Sequence, residues 1–168
     1  DPEIKRKDGW LGRYLETLDR TQHDVFQGLA VGKILPRELS SPNVAIPVVE
    51  SVAAYQFQGD TAHPESTQGR IENLLELYTA LPPEMPYSGI LTDTIDVAYT
   101  SAHVLQGADL SYTEAVEYPN TPFASGLRLL AKAITGNLGL KVGHVTLGGF
   151  DTHADQKDAH SQLLQILA

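Results

Sequence analysis

The chain has no cysteine among its 168 residues, and it has one methionine and one tryptophan. Without thiols there is no disulfide scaffold, no thiolate zinc site and no cysteine nucleophile, so any metal must be held by His, Asp or Glu. Basic residues are also scarce. Lys and Arg number 12 against 21 Asp and Glu, a formal net charge of −9. Such a surface repels a nucleic-acid backbone or an anionic membrane unless basic residues are concentrated locally, and the longest basic run, Lys5-Arg6-Lys7, is too short for that. Neither nucleic acid nor membrane is expected as a partner. No apolar run approaches the roughly 18 residues of a membrane span, and no charged segment leads into an apolar one at the amino end.

What remains suits a soluble globular domain, with 42% hydrophobic and 20% charged residues. No repeat, low-complexity tract or linker divides residues 1–168, which read as a single domain. The chain opens on Asp1 rather than Met and stops at Ala168 inside a helical pattern with no capping residue, as a piece cut from a longer chain would.

Hydrophobic spacing predicts an amphipathic helix of about three turns through Trp10, Leu11, Tyr14, Leu15 and Leu18. Gly28 to Pro36 reads as a turn region. Asn43 to Val49 reads as a short strand that Pro47 confines to an edge, and Tyr55 to Gln58 alternates as a further strand would. Gly59 to Gly69 is polar and without period, a surface loop. A helix then runs through Ile71, Leu74, Leu75, Tyr78 and Leu81 to Pro82-Pro83, and a second from Thr92 to Gln106 with Gly107 as its C-cap. A third runs from Phe123 to Leu138. Val142 to Leu147 is continuously apolar, as in a strand with both faces covered, so helix, glycine turn and strand together predict an α/β fold with a mainly parallel sheet.

The segment Gly148-Gly149-Phe150-Asp151-Thr152-His153-Ala154-Asp155-Gln156-Lys157-Asp158-Ala159-His160 follows that strand, where open α/β sheets place their ligands. Asp151 and His153 are two apart in extended chain, so their side chains share one side and can converge on a divalent ion. A carboxylate with an imidazole suits zinc or manganese, and calcium less well. Asp155 and His160 are weaker additions, since in a helix beginning near Ala154 they point to different faces. The competing reading makes Asp155 and Asp158 helix-start residues and the histidines solvated. Gly28 to Ile34 lacks the glycine spacing and the hydroxyl of a phosphate loop. His23 and His103 lack carboxylate partners at ligand spacing, His63 lies in loop, and His144 reads as a core histidine. No organic cofactor is indicated, and no Gly-x-Ser-x-Gly elbow exists.

Gly9-Trp10-Leu11-Gly12-Arg13-Tyr14-Leu15, Tyr118-Pro119-Asn120-Thr121-Pro122-Phe123 and Leu147-Gly148-Gly149-Phe150-Asp151-Thr152-His153-Ala154-Asp155-Gln156 resemble, in order and spacing, the DUF1501 family. That family comprises uncharacterised bacterial proteins, often exported, placed near the sulfatase and alkaline phosphatase superfamily. The resemblance implies an alkaline-phosphatase-like α/β/α sandwich with metal ligands at the carboxyl ends of the strands. It puts Asp151 and His153 at such a position, as Asp-x-His where the superfamily has Asp-x-x-x-His. It further implies an exported or periplasmic, divalent-metal-dependent hydrolase of a small-molecule phosphate or sulfate ester. This chain would hold part of that site, inactive alone. A non-catalytic exported binding or scaffold protein that keeps the fold is the alternative.

Overall fold

Leu29 and Ala30, neither of which has solvent contact, lie side by side on one short strand. In the computed structural model, which describes residues 8–18, 25–57, 62–82, 84–154 and 156–167, β1 (Gly28–Val31) is the middle of a three-stranded parallel sheet. Its neighbours are β2 (Val48–Val49) and β3 (Val142–His144), in the order β2-β1-β3. Ala30 pairs with Val48 on one side and with His144 on the other. Ladder bonds run from Ala30 N–H to the Pro47 carbonyl, 3.0 Å, and from Gly32 N–H to the Val49 carbonyl, 3.1 Å.

Successive side chains of a strand point to opposite faces, and here both faces are covered. Leu29 packs with Phe26, Val49, Leu105, Leu129 and Ala133, whereas Ala30 packs with Leu15, Leu39, Val44 and Ile46. The first group brings in α3 (Ser88–Ser111) and α4 (Pro122–Thr135), and the second brings in α1 (Trp10–Glu16) and a 3-10 turn at Arg37–Leu39. Two further helices are α2 (Thr67–Thr79), which packs along α3, and α5 (Gln156–Leu167). The chain is therefore mixed α/β with helices on both faces of a small parallel sheet.

The Gly9-x-x-Gly12 spacing has a steric reason. A methyl group at Gly9 would lie 2.0 Å from the Glu38 carbonyl oxygen, and one at Gly12 would lie 2.3 Å from that of Ser40. Hydrogen in place of Cβ lets α1 press its backbone against the Arg37–Leu39 turn. There the Gly9 N–H donates to the Ser40 carbonyl at 2.7 Å.

Several expectations are corrected. The first helix ends at Glu16, shorter than predicted, and Gly28–Val31 is the central strand rather than a turn. Residues 51–57 form turns, with Tyr55 meeting Phe26 edge-on and its hydroxyl 2.9 Å from that of Ser101. Thr67 and Gln68 are already helical, so the polar loop stops sooner than read. Gly107 lies inside α3, which continues to Ser111. The apolar run at 142–147 forms an edge strand of three residues that is only half-buried, because among the described residues nothing pairs with its outer side. The edge position assigned to the strand at Pro47 agrees with β2, and α2 and α4 exist as expected but end at Thr79 and Thr135, short of Leu81 and Leu138.

Candidate functional site

The order β2-β1-β3 sends the chain from β1 to one neighbour and later returns it on β1's other side. In open parallel sheets such a reversal leaves a crevice beyond the carboxyl ends of the two strands concerned, because their outgoing connections diverge. A cleft of about 530 Å³ occupies that place, formed by Val31, Gly32 and Lys33 after β1 and by His144, Val145 and Thr146 at the end of β3. Its size falls within the usual range of small-molecule sites, about 300–1,000 Å³. Ile34, Pro36 and Pro122 add apolar wall, and Glu38 and Glu50 add carboxylates.

Two polar pairs sit in the cleft. Glu38 Oε1 lies 2.9 Å from His144 Nε2, joining residues 106 apart in sequence, and the histidine side chain is 20% exposed. Glu38 is carried by the Arg37–Leu39 turn, which the two glycines of α1 clasp. Its own backbone N–H holds its carboxyl below the ordinary glutamate range, with burial opposing that effect and His144 adding to it. With Nε2–H donating to Glu38, His144 Nδ1 carries a lone pair that is buried and without a partner. The second pair is Lys33 Nζ to Glu50 Oε1 at 3.2 Å, both side chains exposed.

The expected metal residues lie seven and more positions beyond β3. Asp151 Oδ1 and His153 Nδ1 are 3.0 Å apart, with side chains 88% and 84% exposed, and the chain there is not extended, since the Thr152 N–H donates to the Phe150 carbonyl at 3.0 Å. The contact leaves Nε2 and Oδ2 outside it. His160, on α5, lies edge-on to the Phe150 ring at 5.8 Å between centroids. Asp155 lies outside the described residues. Among the described residues, no three His, Asp or Glu side chains converge as a group that could hold a metal ion. Of the remaining histidines, His103 stacks on Tyr99 at 6.2 Å, and His23 lies outside the described residues.

His144 is therefore not the enclosed core histidine that its strand position suggested. Lys33, Glu38, Glu50 and Thr146 were likewise not singled out from the sequence. The available signal was positional for three of them: Lys33, Glu50 and Thr146 follow the apolar runs that end in the sheet, whereas Glu38 stands on the Arg37–Leu39 turn and had no such signal. No family model, no curated protein and no solved structure matches the chain. Among the described residues no helix is long and apolar enough to cross a membrane.

Proposed function

We propose that this chain is an exported α/β protein of DUF1501 type that supplies part of a divalent-metal site for hydrolysis of a small-molecule phosphate or sulfate ester. The observation that carries this reading is the contact between Asp151 Oδ1 and His153 Nδ1, just past the sheet. The finer architecture, an alkaline-phosphatase-like α/β/α sandwich, is supported by the parallel strands with apolar packing on both faces.

The donor set fits a divalent ion. One carboxylate and one imidazole are hydrated and adjacent, so an ion can be taken up without a large desolvation cost, and zinc or manganese match these donors better than calcium. Such an ion, when bound, polarises ester oxygens or activates a nucleophile. Asp151 and His153 act in this reading as ligands, not as acid and base, with Asp155 and His160 as weaker additions. Two donors are one fewer than the three protein ligands usual at catalytic zinc, so the chain by itself binds the ion without turning ester over.

The imidazole resonances of the described histidines test the assignment during titration with zinc chloride. The His153 ring signals are expected to shift and saturate first, and Asp151→Ala is expected to weaken that response about tenfold. Shifts confined to His63, His103 or His144 would overturn it.

The second reading, a non-catalytic binding or scaffold protein, is favoured by the want of a third donor among the described residues. Zinc-dependent turnover of nitrophenyl phosphate or sulfate by the longer parent protein that the first reading implies, lost in Asp151→Ala, counts decisively against it.

A further inference from the structure

The cleft between β1 and β3 is separate from the Asp151/His153 pair in its lining, and its chemistry selects a different kind of ligand. We infer that it binds a small molecule bearing an amine on an apolar body.

The electrostatic argument begins with the side chains. Two carboxylates, Glu38 and Glu50, line the cleft against one ammonium, Lys33. Lys33 is already engaged by Glu50, and Glu38 stays ionised through the neutral range. Glu50 meets Lys33 through Oε1, which leaves its Oε2 able to accept from a ligand N–H, and the Glu38 carboxylate, held by its own backbone N–H and by His144, adds negative charge beside it. The surplus of negative charge agrees in sign with the net −9 of the whole chain, so a cation is drawn to this opening and an anion is repelled.

The start of α4 reinforces the choice. Helix starts commonly attract anions, but here Pro122 has no N–H to offer, and the Ala124 N–H donates to its own cap, Thr121 Oγ1, at 3.1 Å. The remaining wall is apolar: Val31, Ile34, Pro36 and Val145 can cover the body of a ligand, and Thr146 adds a hydroxyl at the rim. A ring or branched chain of a few carbons ending in an ammonium matches both halves of this lining.

Three probes of one shape and different charge test the inference: cyclohexylamine, cyclohexanol and cyclohexanecarboxylate. Each is titrated into the uniformly 15N-labelled chain near neutral pH, at low salt and with chelator present, which removes any contribution of a metal at Asp151 and His153. Cyclohexylamine is expected to give saturable amide shifts at Val31, Gly32 and His144 to Thr146, with a millimolar dissociation constant. Cyclohexanol is expected to bind about fivefold more weakly, the size of one half-exposed charge contact, and the carboxylate not at all. Glu38→Gln is expected to remove most of the preference for the amine, and Glu50→Gln, which also releases Lys33, serves where the first variant fails to fold. Equal or tighter binding of the carboxylate overturns the inference. So does the absence of saturable shifts at these residues with the amine.

Discussion

At Gly12 the chain has no room for a single carbon. The backbone angles at neighbouring Gly9 are ordinary, φ −83° and ψ 159°, so what both glycines provide is close approach rather than unusual conformation. Gly12→Ala is therefore expected to lower stability by about 1–3 kcal/mol, the usual cost of forcing a group into a filled space, and urea unfolding measures it. An unchanged midpoint would show that the Arg37–Leu39 turn yields without cost. Glu38 stands on that same turn, so the packing of α1 also sets where the carboxylate meets His144. The carboxyl of Glu38 is held below its ordinary range by its own backbone N–H and then by His144. A depressed folded-state value favours folding above the unfolded-state value, and the contribution is lost as pH falls through the folded one. Comparing melting temperature against pH for the native chain and Glu38→Gln should show a native advantage at neutral pH that fades only in acid. A constant difference at every pH would contradict the sign.

At the scale of elements, α4 is the best specified. Thr121 caps it, Pro122 occupies the first position, and the buried stripe through Ala124, Leu129 and Ala133 faces the sheet. Thr121→Ala should cost about 1 kcal/mol, read by chemical denaturation, and a loss below about 0.3 kcal/mol would mean that the cap bond is replaced by water. The helix itself was legible in the sequence, because a long helix repeats its signal over several turns, but Tyr118 to Pro122 read as a breaker and the roles of Thr121 and Pro122 did not. β1 was not: four residues, beginning with Gly28, offer two alternations at most, and its central place comes only from pairing with β2 and β3 far along the chain. The run at 142–147 misled in the other direction. It reads as an apolar run, with His144 and Thr146 its polar members, yet β3 is an edge, since strand order is not written in local composition. The same gap hid the cleft, whose Glu38 and His144 are brought together by folding across 106 positions. Asp151 and His153, by contrast, are two apart in sequence and meet locally, although through a turn at Asp151 rather than through the extended chain that was expected.

For the whole molecule, the acidic surface and the parallel sheet act together. A net charge of −9 makes the surroundings of every opening favourable to cations, and the sheet directs its openings to one end, beyond the carboxyl ends of its strands. Two histidine–carboxylate pairs follow from that end: Glu38 with His144 inside the cleft, and Asp151 with His153 beyond it. The first is fixed by burial and by the turn that carries it. The second is exposed to solvent on both side chains. The most direct test of the metal assignment is elemental analysis of the chain purified without chelator, set beside the Asp151→Ala/His153→Ala double variant with both shown to be folded. Zinc or manganese retained by the native chain and absent from the variant is the predicted result. Equal metal in the two proteins, or none in either, would contradict it.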